Sequence, residues 1–156
     1  MVTWGDLVSA EPDFAARVRA TFTVRKHATL ATLRQDGSPR ISGTEVEFDD
    51  GTGQIVLGSM PGALKALDLR RDPRMAIHSP TVDPPEDDPS AWAEGKVAGR
   101  AVEVSARAPD ADLADESHRF VVDLTEVVLT RVGRPPDHLV IESWHPDRGL
   151  TRQERR

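Results

Sequence analysis

Most of the chain is divided into short apolar segments separated by turn-forming residues, and this pattern limits the folds open to it. Segments 27–33, 40–48 and 54–58 have the length and alternation of β-strands. Residues 35–39 (Gln-Asp-Gly-Ser-Pro) and 49–53 (Asp-Asp-Gly-Thr-Gly) have the composition of tight turns. Connections this short join neighbouring antiparallel strands. The sequence therefore predicts an antiparallel meander.

The rest of the chain adds further strands and two helices to this meander. We predict helices over 12–23 and 63–71, and strands over 75–78, 96–104, 120–132 and 138–144. The long strand 120–132 is expected to be broken near Asp123. Hairpins with a few helices between them indicate a closed or nearly closed antiparallel barrel, because closure removes free strand edges. An open sheet with one helical face is the alternative.

Each predicted helix has apolar residues that we assign to the core. In the first helix, Phe14, Val18 and Phe22 recur at four-residue spacing. In the second, Leu64 and Leu67 are predicted to face the core.

Three segments are predicted to lie outside the regular structure. The stretch 80–94 is rich in proline and acidic residues and indicates an acidic excursion or a mobile loop. Residues 109–118 form a polar connection. The arginine-rich tail 148–156 is expected to be a frayed, solvated end. No linker divides the chain, so we predict one domain over 1–156 with its barrel core at about 25–145.

Composition excludes several classes of function. The formal net charge of −6 and the 4% aromatic content disfavour nucleic-acid binding by charge and stacking. The chain has no cysteine, which excludes disulfides, thiolate catalysis and iron–sulfur clusters. The apolar runs are too short to cross a bilayer, and the first residues have no secretory signal pattern. We expect a cytoplasmic protein with no membrane or nucleic-acid partner.

Residues 55–65 (Ile-Val-Leu-Gly-Ser-Met-Pro-Gly-Ala-Leu-Lys) carry the strongest indication of a binding site. They place the Ser59 hydroxyl at a strand end, a glycine at the bend and Lys65 near the start of a helix. The free amides and positive end of a helix attract anions, and a nearby cation is unfavourable there by about 0.3–1 kcal/mol unless an anion is bound. The alternative is that Lys65 points to solvent, and spacing alone favours that alternative.

Other candidate residues are better explained by structure than by chemistry. The five histidines lack metal-ligand spacing. Ser117 and His118 follow two acidic residues, but no nucleophile elbow surrounds the serine, and we interpret both as surface residues. Trp144 is interpreted as a core anchor.

Read in order, four segments resemble the pyridoxamine 5′-phosphate oxidase-like superfamily of flavin- and deazaflavin-dependent oxidoreductases. The segments are 27–33 (His-Ala-Thr-Leu-Ala-Thr-Leu), 36–39 (Asp-Gly-Ser-Pro), 57–59 (Leu-Gly-Ser) and 65–73 (Lys-Ala-Leu-Asp-Leu-Arg-Arg-Asp-Pro). The resemblance runs from about residue 12 to Trp144. It implies a mainly β fold with helices (α+β), a six- to seven-stranded antiparallel split β-barrel of the FMN-binding type.

The resemblance also implies a cofactor and the residues that bind it. The superfamily's homodimers hold two cofactors between the subunits, here FMN or coenzyme F-420, with haem as a minor alternative. Lys65 matches the phosphate-binding lysine and reverses the preference stated above for a solvated side chain. The implied cofactor-binding residues are Gly58, Ser59 and Lys65, together with Arg40, Ile41 and Ser42 on the strand beside the cofactor.

The resemblance further implies an oxidoreductase that transfers a hydride between its cofactor and a small molecule. No side chain is identified as a catalytic acid or base. The tail 148–156 does not match the arginine-leucine segment that grips substrate in authentic pyridoxamine-phosphate oxidases, so that activity is not expected. The alternative is a non-catalytic protein that binds or carries a flavin, deazaflavin or haem.

Overall fold

This computed structural model describes residues 1–104 and 117–156. These residues contain three α-helices and eight β-strands, joined by turns and loops. The helices are α1 (Trp4–Ala10), α2 (Pro12–Thr23) and α3 (Leu64–Arg71). The strands are β1 (His27–Leu33), β2 (Pro39–Asp49), β3 (Gln54–Ser59), β4 (Arg74–His78), β5 (Ala93–Val104), β6 (His118–Val132), β7 (Leu139–His145) and β8 (Gly149–Arg155).

The sheet closes into a barrel because β3 pairs with both β2 and β6. The strand order is β3-β2-β1-β4-β5-β6-β7-β8, and all pairings are antiparallel. The start of β6 pairs with β3, with His118 opposite Ser59, whereas residues 127–132 of β6 pair with β7. A closed six-stranded barrel results, and β7 and β8 extend beyond it. The predicted fold, an antiparallel barrel that is mainly β with helices, is confirmed.

The break predicted near Asp123 is wrong, because β6 is continuous over 15 residues. Its irregularity is a register shift against β5 between Ala98 and Gly99, which leaves Thr125 as an extra residue in β6. Gly99 is required at this shift, since a Cβ there would lie 2.2 Å from the Asp123 carbonyl oxygen. The strand therefore bends without ending.

The first predicted helix is confirmed as α2, and Phe14, Val18 and Phe22 are all buried. The preceding helix α1 was not predicted. Its signal is the spacing of Thr3 and Asp6, whose side chains cap each other's backbone amides in a capping box.

The predicted core face of α3 is wrong. Leu64 and Leu67 are 58% and 45% exposed, whereas Ala66 and Leu69 are buried. The rotation of the helix follows from Asp68, which is also buried and accepts a 2.8 Å hydrogen bond from Thr32 Oγ1 on β1. A buried carboxylate must face its hydrogen-bond partners, so the two leucines point away from the barrel.

The expectation of a frayed tail is also wrong, because residues 149–155 form β8. All seven of its residues pair with β7, after a turn in which Gly149 has φ +70°. Its polar sequence has no strand-like alternation, since most of its side chains are exposed on both faces. Backbone pairing and the partly buried Leu150 hold the strand in place.

The acidic excursion predicted over 80–94 is held by hydrogen bonds, one of them within the segment and one to the residue that follows β6. Trp92 Nε1 donates to the Val82 carbonyl (2.8 Å), and Ser90 Oγ donates to the Gly133 carbonyl (2.9 Å). Glu94, at the end of the predicted stretch, belongs to β5 and lies 2.7 Å from Lys96 Nζ. Most of the polar connection predicted over 109–118 lies outside the described residues.

Candidate functional site: an anion-binding groove at the start of α3

A groove of about 550 Å³ lies where β3 ends and α3 begins. Its lining includes Gly58, Ser59 and Lys65, which are three of the six residues implied to bind a cofactor. Gly43 and Glu45 of β2 form the opposite side. We call this feature the Lys65 groove.

Lys65 is a half-buried cation that has no carboxylate partner among residues 1–104 and 117–156. Its Nζ donates to the Gly43 carbonyl (2.9 Å), and it forms no ion pair with any of the described residues. Lys26 and Lys96, the other two lysines, each lie within 3.2 Å of a glutamate oxygen. Burial lowers the pKa of the Lys65 ammonium from its ordinary value of 10.5. A desolvated charge without a counter-charge is costly, so an anion that entered the groove would be stabilised there.

The first turn of α3 adds a second source of positive potential. The amides of Ala66 and Leu67 both donate to the Ala63 carbonyl, at 3.0 and 3.3 Å. The amides before them have no partner inside the helix, and the helix dipole is positive at this end. Gly62, with φ +69°, turns the chain from Ser59 into the helix. The serine hydroxyl, the helix start and Lys65 therefore border one space.

Two glycines leave the walls of the groove open. A Cβ built on Gly43 or on Gly58 would meet no heavy atom within 4 Å. Both residues belong to strands that line the groove, Gly43 in β2 and Gly58 in β3. A planar ligand could approach the backbone closely at both positions. The groove therefore has open space beside the backbones of β2 and β3, next to the Lys65 ammonium.

Arg40 does not join Lys65 in this groove. Its Nε donates to Asp68 Oδ2 at 2.7 Å, and Asp68 also accepts hydrogen bonds from Thr32 (2.8 Å) and Arg71 (3.0 Å). We call these four residues the Asp68 cluster. Burial alone would raise the pKa of Asp68, but the three hydrogen bonds outweigh it and hold the pKa below 3.8. Arg40 is thus bound to a counter-charge of its own.

Ile41 and Ser42, the other two implied cofactor residues, do not line the Lys65 groove either. Ile41 is 73% exposed, and Ser42 is half-buried opposite Leu30 of β1. A cofactor contact at either residue stays a prediction.

The interpretation of His118 as a surface residue is wrong, because its side chain is only 10% exposed. Its ring lies between the turn before α3 and Glu103 of β5. No periodicity or motif indicated this position, since it depends on the pairing of β6 with both β3 and β5. The interpretation of Trp144 as a core residue is confirmed.

The described residues contain neither a candidate metal cluster nor a membrane-spanning helix. Among residues 1–104 and 117–156 there is no group of three or more histidine, aspartate or glutamate side chains that could hold a metal ion. Over the same residues, no helix is long and apolar enough to cross a membrane.

Comparison with solved structures identifies the fold. One similar structure is a pyridoxamine 5′-phosphate oxidase-related, FMN-binding protein from Nostoc punctiforme PCC 73102, with 11% identity, a TM-score of 0.65 and coverage of 94% of this chain and 96% of that one. A haem-binding protein from Mycobacterium smegmatis has 20% identity, a TM-score of 0.53 and coverage of 89% and 85%. An F-420 reductase has 19% identity, a TM-score of 0.51 and coverage of 70% and 94%.

These likenesses are to the fold, since every identity is below 25%. No family model and no curated protein matches the chain. The structural matches agree with the resemblance derived from the sequence. The protein therefore has the split-barrel fold of the pyridoxamine 5′-phosphate oxidase-like superfamily.

Proposed function

We propose that this protein binds FMN or coenzyme F-420 in the Lys65 groove and acts as an oxidoreductase on a small molecule. The observation that carries the proposal is Lys65, a half-buried cation with no counter-charge among the described residues, at the positive end of α3. Both cofactors contain a planar ring system and a phosphate. The two chemical features of the groove, its open glycine walls and its positive end, correspond to those two parts.

The residues of the groove have distinct roles in this proposal. Lys65 and the Ser59 hydroxyl hold the phosphate, with the first amides of α3 as further donors. Gly43 and Gly58 leave room for the ring beside β2 and β3. The bound cofactor supplies the hydride chemistry, and the protein orients it. The similar solved structures of an FMN-binding protein and of an F-420 reductase support this assignment.

The proposed functional unit is a homodimer. Three apolar residues at or near the start of α3 are strongly exposed: Met60 (78%), Leu64 (58%) and Leu67 (45%). Exposed apolar residues concentrated in one region indicate a surface that is covered in the assembled protein. The Lys65 groove adjoins this region, since Met60 also lines the groove. A second copy placed there would enclose the cofactor from the open side.

Light scattering tests the dimer. We expect a mass twice the 17.1 kDa of the chain, and we expect Leu67→Glu to shift the protein towards the monomer, because a charge replaces an apolar contact. Val24→Glu is the matched control, since Val24 is comparably exposed (53%) at the end of α2. A wild-type monomer at working concentration would contradict the dimer.

Titration of ligand-free protein with FMN, riboflavin and coenzyme F-420, followed by fluorescence, tests the binding proposal. We expect FMN or F-420 to bind with a dissociation constant near 1 μM, equivalent to about −8 kcal/mol. Riboflavin, which has the ring of FMN without its phosphate, should bind at least tenfold more weakly than FMN if FMN is the cofactor. Equal affinity for riboflavin in a protein that binds FMN near 1 μM, or binding of neither FMN nor F-420, would contradict the phosphate site.

Turnover with the reduced cofactor separates the enzyme from a carrier. We expect oxidation of the bound reduced cofactor to accelerate with at least one acceptor in a panel of quinones and conjugated carbonyl compounds. A protein that binds the cofactor and shows no acceleration across the panel would favour the non-catalytic alternative. Tight binding of haem without binding of either flavin-type cofactor would favour a haem protein.

A further inference from the structure

His118 lies next to the proposed phosphate site, although it does not line the groove. It is the first residue of β6 and pairs with Ser59, the last residue of β3. Its side chain is 90% buried, since only 10% is exposed. A buried imidazole needs partners for both ring nitrogens, and the structure provides one on each side.

The two partners of the ring define which nitrogen carries the proton. The Gly62 amide donates towards Nε2 at 3.4 Å, so Nε2 must be an unprotonated acceptor. The carboxylate of Glu103 lies 3.3 Å from Nδ1 and can only accept, so Nδ1 must carry a proton. The two contacts together match the tautomer that carries its proton on Nδ1 and accepts at Nε2.

Glu103 is fixed as a carboxylate by α3. Arg70 donates to both oxygens of Glu103, through Nε (2.8 Å) and Nη2 (2.6 Å). The hydrogen bonds from Arg70, followed by the one from His118, lower the pKa of Glu103 from 4.5. Because Arg70 lies in the last turn of α3 and Gly62 lies just before the first, the chain of contacts connects both ends of the helix to the barrel.

The Gly62 amide belongs to the turn that separates the two proposed phosphate ligands. The turn leaves β3 at Ser59 and enters α3 beside Lys65, and Gly62 takes a left-handed conformation within it (φ +69°). A further backbone hydrogen bond, from the Ala63 amide to the Met60 carbonyl (3.2 Å), closes the turn. The orientation of the turn therefore sets the distance between the Ser59 hydroxyl and the Lys65 ammonium.

We propose that His118, with Nε2 facing the Gly62 amide and Nδ1 facing Glu103, positions the turn at residues 60–62 so that Ser59 and Lys65 hold the cofactor's phosphate together. The inference rests on the proposed function of the Lys65 groove. His118 is a positioning residue and not a ligand, since it acts through the Gly62 amide.

Nitrogen-15 NMR of the full-length protein tests the ring directly and needs no cofactor. We expect Nδ1 of His118 to carry a proton and Nε2 to accept from the Gly62 amide, and we expect the Gly62 amide to shift when His118 is replaced. A proton on Nε2, or an unchanged Gly62 amide, would overturn the inference. The NMR experiment gives this result whether or not the protein binds FMN or F-420. Failure to bind either cofactor would contradict the proposed function and leave the NMR result in place.

Two substitutions test the effect on phosphate binding. His118→Phe keeps an aromatic ring but removes the acceptor and the donor, and we expect it to weaken FMN or F-420 binding about tenfold, or 1.4 kcal/mol. His118→Gln retains an acceptor and a donor and should stay within threefold of the wild type. If FMN is the cofactor, riboflavin affinity should change little in either variant.

A control separates positioning from general destabilisation. His78→Phe changes a partly buried histidine that contacts Glu94 away from the groove, and it should leave cofactor affinity unchanged. If His118→Phe weakened riboflavin as much as FMN, or if His118→Gln failed to restore affinity at unchanged thermal stability, the positioning role would be excluded.

Discussion

The Lys65 groove and the Asp68 cluster both contain a cation of α3, but among the described residues only the cation of the cluster bonds to a carboxylate. In the cluster, a buried carboxylate accepts hydrogen bonds from Arg40 and Arg71. In the groove, Lys65 reaches no carboxylate among the described residues and donates to a backbone carbonyl. The paired charges of Arg40, Arg71 and Asp68 therefore hold α3 on the barrel. The charge of Lys65, which has no carboxylate partner among the described residues, is available to a ligand.

The contacts of Arg40 and Lys65 distinguish two residues that the sequence placed in the same role. Arg40 and Lys65 were both implied to contact the cofactor. Lys65 lines the groove and donates to the Gly43 carbonyl. Arg40 is not among the residues that line this groove, and its Nε donates to the Asp68 carboxylate instead.

Removing the buried carboxylate should produce the largest change in stability. Asp68→Ala leaves Arg40, Arg71 and Thr32 without their shared acceptor, and we expect a loss of about 3–5 kcal/mol in the free energy of unfolding. Urea denaturation followed by tryptophan fluorescence measures it. Glu154→Ala, which removes an exposed ion pair with Arg152, is the control and should hardly move the midpoint. A small loss at Asp68 would show that the cluster does not hold α3.

Filling the groove should affect binding and spare the fold. Gly58→Val places a branched side chain in open space on β3, where valine is a favourable strand residue. We expect cofactor affinity to fall about tenfold, equivalent to 1.4 kcal/mol, and stability to be unchanged. Gly58→Ala should give a smaller loss in the same titration. Unchanged affinity in the valine variant would place the cofactor elsewhere.

The pH dependence of binding should carry a smaller signature of Lys65. Because burial lowers the pKa of Lys65, its ammonium loses its proton at a lower pH than the ordinary 10.5. Affinity for a phosphate-bearing cofactor should therefore decline as the pH rises through this lowered pKa, in addition to any titration of the cofactor itself. The measurement is the affinity ratio of wild type to Lys65→Ala between pH 7.5 and 10. A constant ratio would contradict the assignment of the charge to Lys65.

Local patterns were sufficient to predict the barrel and one side of the candidate site. Strand alternation and turn residues indicated the meander, and residues 55–65 indicated an anion site because Ser59 and Lys65 flank a single turn. Both inferences depend on residues that are close in sequence. The structure confirms the barrel and brings Gly58, Ser59 and Lys65 to one groove.

The features that the sequence did not predict, in α3, at His118 and in β8, depend on contacts between segments that are distant in sequence. The exposed face of α3 is set by the bond from Asp68 to Thr32, which lies 36 residues away in sequence. The burial of His118 depends on two strand pairings at once. β8 has a polar sequence because it lies at the end of the sheet, and its pairing with β7 is made by backbone groups that no side-chain pattern reveals.

Comparing Lys65→Ala with Arg40→Ala, in the same cofactor titration and the same urea denaturation, tests directly whether Lys65 is the cation that binds the ligand. We expect Lys65→Ala to weaken binding by about 1.5–3 kcal/mol, the range for a hydrogen bond to a charged group, with little loss of stability. Arg40→Ala should lower stability and leave affinity within threefold. Equal losses of affinity in the two variants, or a loss below threefold for Lys65→Ala, would contradict the central claim that the unbalanced cation is the ligand-binding one.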